Sequence, residues 1–301
     1  MSYLVERSAG KPWYCASPSE LVLADDCSRA HDFRCRQKLR RVGDRRSPTL
    51  ASGSAVATAV ERLLWDMSSV ENPKERLSEL VKAALAEEFA GDEEAPKLMK
   101  KFLPGVKRAV SRLPDWFWQG TWLVEHDVYG VFENDDLGIR VEGRADMVRL
   151  VDEPVPTVEL IDVKTTDTDP MEYVLWSPQL RIYAACLQQM YPDRLVVYRY
   201  VCVPTGVSAV AKPGAEFVFT NVAEARAREE ILRYAMKLQH DGTPRYARRC
   251  AWCSYAPICT AIVTGADPAG IIQEMYVRKV GSELAVGKDG LGDAADAIQG
   301  A

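Results

Sequence analysis

Gly143–Thr166 reads GRADMVRLVDEPVPTVELIDVKTT, two strand-like runs joined by a Pro-broken turn over Asp152–Pro156. Asp146 closes Gly-Arg-Ala-Asp, and Asp162 opens Asp-Val-Lys sixteen residues later. Asp162 and Lys164 are two apart, so on a strand they project from the same face. Two carboxylates and an ammonium gathered on one side of a hairpin are costly in a half-buried sheet. A divalent cation between the carboxylates, with the lysine at a phosphate or a water, makes the cluster reasonable. The set points to metal-assisted phosphodiester hydrolysis. A D-x-K triplet alone is weak, and its plain alternative is an exposed hairpin with ordinary salt bridges. Glu159 is three residues from Asp162, hence on the opposite face, and is demoted as a third ligand.

Outward from the hairpin the pattern stays mixed. Upstream, WLVEHDVYGVF from Trp122 is Val- and aromatic-rich and reads as a strand. Downstream, Ser177-Pro178 opens a helix through QLRIYAACLQQMY and places Gln179 and Tyr183 one turn apart on one face. Alone, that pair is a helix-surface pair. Arg194–Val203 returns to strand, its apolar run implying burial on both faces. Asn221 and Glu224 form a capping box for a long helix ending near Gly242. Earlier, a helix is expected near Ser19–Arg41, and Ser52 or Ser54 can cap another from Ala55 to about Met67. Asn72-Pro73 starts the next, and Pro104 should kink or break the stretch Ala95–Leu113. The order gives an α/β fold, a mixed central sheet flanked by helices, with the Ser177 helix crossing over to the next strand.

Arg249–Cys259 reads RCAWCSYAPIC, with Cys250, Cys253 and Cys259 spaced C-x2-C-x5-C. A fourth thiolate would complete a metal site, and the candidates are upstream at Cys27 and Cys35. Zinc and an iron–sulfur cluster both fit the spacing. Cys186 and Cys202 lie in apolar runs and read as core, and Cys15 is expected to be unliganded.

A chain of 301 residues can bury a sizeable core. Its 47% hydrophobic and 27% charged residues fit a soluble globular protein, and no apolar run reaches a membrane span of about eighteen residues. The N-terminus is too polar for a secretory signal, so a cytoplasmic protein is expected. There, eight cysteines argue for metal ligation over disulfides. The net charge of −5 hides a basic arm: eight Lys or Arg against two Asp between Cys27 and Arg46, a net of +6 that leaves −11 elsewhere. Arg245, Arg248 and Arg249 add a second basic group. Local patches, not overall charge, hold phosphates, though a solvated arm is the plain alternative. No P-loop is present, so the chain carries no helicase motor of that kind.

In order, G-x-x-D at Gly143–Asp146, D-x-K-T at Asp162–Thr165 and Q-x-x-x-Y at Gln179–Tyr183 resemble the RecB-type branch of the PD-(D/E)XK nuclease superfamily. The resemblance extends to Gly53–Glu61, which aligns with a G-x-x-x-H-x-x-x-E helix motif, with Ala57 where a metal-ligating His usually stands. It reaches the cysteines too, since iron–sulfur members such as AddB-type nucleases and CRISPR-associated exonucleases use one N-terminal and three C-terminal cysteines. Ser17–Phe33 fits the N-terminal pattern at Cys27 better than at Cys35, so Cys35, like Cys15, is expected to be unliganded.

The resemblance implies a restriction-endonuclease-like core with a helical insertion, spanning roughly Ser17–Cys259. It implies a Mg²⁺- or Mn²⁺-dependent DNA exonuclease. Asp146, Asp162 and the Val163 carbonyl would ligate metal, and Lys164 would steady negative charge or activate water. Glu61, Gln179 and Tyr183 would position these groups or the DNA. Cys27, Cys250, Cys253 and Cys259 would hold a structural [4Fe–4S] cluster that staples the terminal segments. The substrate would be single-stranded or end-containing DNA, in recombination, repair or replication, with no membrane. The expected organisation is a basic arm over 1–50, a helical block over 51–118, a nuclease core over 119–242, a cluster segment over 243–264 and a partly disordered tail over 265–301. A catalytically weak DNA-binding or scaffold protein and a zinc-stapled DNA-binding module are the alternatives.

Overall fold

The computed structural model describes residues 3–4, 11–42, 48–65, 72–90, 93–110, 117, 121–164, 177–202, 216–238, 250–251, 253–280 and 283–285. The basic group Arg245, Arg248 and Arg249 lies outside them, as do Thr165, Thr166 and the side chains of Val163 and Lys164.

The chain begins with β1 (Tyr3–Leu4), β2 (Trp13–Ala16) and α1 (Pro18–Asp26). A capping box starts α1: the Glu20 N–H donates to Ser17 Oγ at 3.3 Å and the Ser17 N–H to Glu20 Oε2 at 2.8 Å. Then α2 (Ser28–His31) passes into a π-helix over Asp32–Arg36, closed by the Gln37 N–H on the Asp32 carbonyl at 2.9 Å, before β3 (Leu39–Arg41). The helix expected near Ser19–Arg41 is thus three short helical pieces, and its end is the strand β3.

A helical block follows as α3 (Pro48–Trp65), α4 (Pro73–Glu88) and α5 (Ala95–Val110). The sequence suggested Ser52 or Ser54 as the α3 cap, but both residues lie inside the helix. Pro48 in the first turn is pre-set for helix, and burial of Ala51 beside Ala55 rewards the extra turn. The Asn72 side chain caps α4 as expected, accepting the Glu75 N–H at 3.4 Å. Pro104 does not end α5; it is exposed, and so is Lys100, whose carbonyl loses its helical partner there.

The strands β4 (Thr121–Glu133), β5 (Gly138–Val151) and β6 (Thr157–Lys164) come next. They lead through α6 (Pro178–Met190) to β7 (Leu195–Cys202) and β8 (Glu216–Val218). The chain closes with α7 (Asn221–Lys237), α8 (Ala256–Thr264), α9 (Pro268–Met275), β9 (Tyr276–Val280) and β10 (Glu283–Ala285). Thr220, not Asn221, caps α7, accepting the Ala223 N–H at Oγ1 and the Glu224 N–H at its carbonyl. After Thr264 the described residues form α9, β9 and β10, with Asp267 capping α9 through the Ala269 and Gly270 N–H groups.

Two compact units result: Met1–Arg45, Val131–Val141 and Glu229–Ala301 form one; Arg46–Gly130 and Glu142–Arg228 form the other. In the second, β5 and β6 are antiparallel from Met147↔Ile161 to Val151↔Thr157, β6 and β7 are parallel, β8 is antiparallel to β7, and β4 pairs with β5. The sheet is therefore mixed. One side packs Met147 and Ile161 into a core with Ala55, Val56, Ala59, Val60 and Leu63 of α3 and Leu77, Val81, Ala84 and Leu85 of α4. Burying each large side chain there contributes about 1.5–3 kcal/mol. In the first unit β2 runs parallel to the start of β5, Trp13 opposite Gly138. A Cβ on Gly138 would meet the Trp13 ring at 2.6 Å, so only glycine fits. The same unit holds a small antiparallel sheet, β10-β9-β3, and an aromatic core of Phe33, Tyr255 and Tyr276 with Leu39, Ile258 and Ile272. No helix among the described residues is long and apolar enough to cross a membrane.

Candidate active site

In the second unit the β5–β6 register, carried one step past Met147↔Ile161, sets Asp146 opposite Asp162. Directly opposed residues of an antiparallel pair point to the same face. Asp146 is exposed and Asp162 half-buried. Val163 and Lys164 end β6 with their backbones paired to Val201 and Cys202 of β7.

Glu61 lies near the end of α3, half-buried. Its carboxyl is raised above the ordinary range, first by burial, then by the negative charges of Asp146 and Glu125, against a smaller lowering by Arg62. Three acidic groups from a helix and two strands therefore share one electrostatic neighbourhood. Ala57 is half-buried one turn before Glu61 and offers no ligand atom.

Gln179 and Tyr183 lie one turn apart on α6, and the two side chains are hydrogen-bonded. The Tyr183 phenol is pushed up to about 12, chiefly by burial and then by Asp146. It stays protonated at any working pH and donates to the Arg144 carbonyl at 2.8 Å. That bond fixes the strand two residues before Asp146.

Glu159 is buried on the other face, as its parity requires. Oε2 accepts Arg149 Nε at 2.6 Å and Oε1 accepts Arg199 Nη2 at 2.8 Å. A carboxylate held by two guanidiniums is a structural ion pair, not an open metal ligand.

Glu125 and Arg144 were missed in the sequence. Arg144 Nη1 donates to Glu125 Oε2 at 2.6 Å, and its Nε to Asp127 Oδ1 at 3.3 Å. Glu125 has φ of 50°, a left-handed conformation rarely taken by a non-glycine residue. The available signal was the polar run Glu125-His126-Asp127 inside an otherwise apolar strand. His126 Nε2 is 3.1 Å from the Tyr191 hydroxyl.

The donors gathered here are carboxylate oxygens, the hard set that suits Mg²⁺ or Mn²⁺. Their mutual charge, felt at Glu61, is what a dication would relieve. The residues present fit the group.

In the first unit, Cys27, Cys253 and Cys259 pack against one apolar cluster. The Cys259 thiol is raised first by burial; Arg29, which also hydrogen-bonds it, opposes this, while Cys253 and Cys27 act with it. Cys250 is exposed, and its carbonyl accepts the Cys253 N–H at 3.3 Å. Cys35 is not in this group; it sits with Glu20 and His31. Cys186 is buried in α6, its thiol pushed up to about 12 by burial.

Among solved structures, the chain is similar to SSO0001 at 14% identity over 69% of this chain and 84% of that one, with a TM-score of 0.31. It is also similar to a Eubacterium rectale protein named "Putative exonuclease", at 13% identity over 79% of this chain and 86% of that one, TM-score 0.47. Sequence comparison with curated proteins returns no match. Residues 16–260 match the PD-(D/E)XK nuclease superfamily as a family, a span that takes in Glu61, Asp146, Asp162, Lys164, Gln179, Tyr183 and the four cysteines at 27, 250, 253 and 259. The chain belongs to the PD-(D/E)XK nuclease superfamily.

Proposed function

We propose that this protein is a Mg²⁺- or Mn²⁺-dependent exonuclease of the RecB type, hydrolysing phosphodiester bonds at DNA ends. The observation that carries the proposal is the shared neighbourhood of Glu61, Asp146 and Glu125, with Asp162 across the ladder from Asp146. Asp146, Asp162 and the Val163 carbonyl are the proposed metal ligands. A bound divalent cation would supply Lewis-acid polarisation of the scissile phosphate and a lowered pKa for its water.

The chain's own groups do the rest. Lys164 holds negative charge as it develops on the phosphate, or orients the attacking water. Glu61 holds a hydrogen-bonded water or a metal ligand in place. Gln179 and Tyr183 keep the strand before Asp146 in register through the Arg144 carbonyl. Cys27, Cys250, Cys253 and Cys259 are the proposed ligands of a structural [4Fe–4S] cluster, a centre that thiolates hold. It would tie residues far apart in sequence, where closure is otherwise entropically costly. Recombination, repair or replication would supply such DNA ends.

Ala57 favours a second reading, a catalytically weak DNA-binding protein with the same fold, because it removes one ligand position from α3. A water can serve hard Mg²⁺ in that position, so activity is retained in our account. The test is incubation of the protein, purified without oxygen, with linear and covalently closed circular DNA and Mn²⁺ or Mg²⁺. The exonuclease reading expects linear DNA to be degraded, circular DNA to persist, and chelation to stop the reaction. Binding of both DNAs without degradation would instead support the weak-enzyme reading.

A further inference from the structure

Glu20, His31 and Cys35 each bring one ligand-type atom into a group whose members all lie within 4.8 Å of one another. The residues come from α1, the end of α2 and the π-helix. We propose that they form a second metal site, specific for Zn²⁺ or a similar borderline ion, separate from the carboxylates of the nuclease site and from the four cysteines.

The strongest observation is His31. It is 2% exposed, and its Nε2 is buried with no hydrogen-bond partner among the described residues. Buried polar nitrogens are nearly always paired, because leaving one unmade costs the desolvation of that group. A metal supplies the missing partner. The second observation is the donor set. A thiolate, an imidazole and a carboxylate are the mixed S, N and O ligands that zinc accepts in tetrahedral sites, with water in the fourth position. Mg²⁺ would be a poor choice for a sulfur ligand. A dication with one carboxylate, one thiolate and one neutral imidazole sums to zero charge, which suits a site this buried.

The supports of the three donors are already in place. Glu20 is aimed by the capping box, in which its Oε2 accepts the Ser17 N–H at 2.8 Å. Metal-bound carboxylates are commonly hydrogen-bonded in this way. The π-helix turn, closed from Gln37 N–H to the Asp32 carbonyl, determines where Cys35 points relative to His31, and π-bulges occur frequently at functional sites. Without metal, the Cys35 thiol hydrogen-bonds Glu20 and is pushed up to about 11, by burial first and then by Glu20. Zinc binding would displace that proton. The site would lock α1 to the π-helix immediately beyond Cys27, without entering the chemistry of DNA cleavage.

The test uses the whole protein purified without oxygen, equilibrated with one equivalent of Zn²⁺ and desalted, with iron and zinc then counted per chain. We expect about one zinc in the wild type. Cys35→Ser and Glu20→Gln, which keep size and hydrogen-bonding shape, should lose it with iron content and visible colour unchanged. Co²⁺ in place of Zn²⁺ should give a thiolate-to-cobalt charge-transfer band that Cys35→Ser abolishes. A folded wild type that retains no zinc would overturn the proposal. So would a zinc or cobalt signal that survives intact in Cys35→Ser, because it would belong to the other cysteines.

Discussion

Glu61 is half-buried beside the negative charges of Asp146 and Glu125. Its carboxyl is raised in the folded protein, so the native state holds its proton to higher pH than the unfolded chain does. Stability contributed at this position is therefore full below the ordinary carboxylate range and falls as pH rises through the folded value. With divalent cations removed, Glu61→Gln should raise the melting temperature at pH 8 but not at pH 4, and added Mn²⁺ should narrow the gap. Thermal melts at the two pH values check this, and a variant that melts lower at both would contradict the crowded-carboxylate account. Ala57→His restores an imidazole one turn from Glu61, and a titration should find activity at a lower metal concentration. An unchanged metal response in the folded variant would mean that this face of α3 does not meet the metal. Glu159→Ala belongs to stability, not catalysis. It removes the carboxylate that Arg149 and Arg199 share in a buried setting and should cost about 3–5 kcal/mol by denaturant unfolding. Its activity, measured where the protein remains folded, should change far less than that of an Asp162 variant.

Elements were legible where one signal dominated. β5 ends and β6 begins where expected because alternation and the Asp152–Pro156 turn agree. α4 starts where Asn72-Pro73 places it. The start of α3 was not legible, because Ser52 and Ser54 are good caps in isolation and only tertiary burial of Ala51 decides against them. The same is true of α7, where Thr220 captures the role assigned to Asn221 one residue too late. Thr220→Ala should therefore cost about 1 kcal/mol, and Asn221→Ala much less, in paired unfolding curves. Among the proposed site residues, the strand period joins Asp162 to Lys164 and the helix period joins Gln179 to Tyr183, but these pairs and Asp146 are singled out by an order of motifs that resembles RecB-type nucleases. Glu125 could not be named from spacing, since its left-handed backbone breaks the strand period on which such arguments rest. The grouping of Cys35 with His31 likewise depends on a π turn that no periodicity announces.

At the scale of the whole molecule, the proposed sites fall in different units. Glu61, Asp146 and Asp162 lie in the second unit, and the neighbouring thiols of Cys27, Cys253 and Cys259 lie in the first. The account expects protein purified without oxygen to be brown with about four irons per chain. Cys253→Ser or Cys27→Ser should bleach it and lower its melting temperature, whereas Cys35→Ser should keep the colour. A colourless protein with one zinc at the four cysteines would keep the staple and remove the cluster. The central claim concerns the carboxylates, and it is tested most directly by degradation of end-labelled DNA under Mg²⁺ or Mn²⁺, wild type beside Asp162→Ala of equal fold content. The account predicts metal-dependent degradation by the wild type and a loss on the order of 10²-fold or more in the variant; equal rates for the two proteins would contradict it.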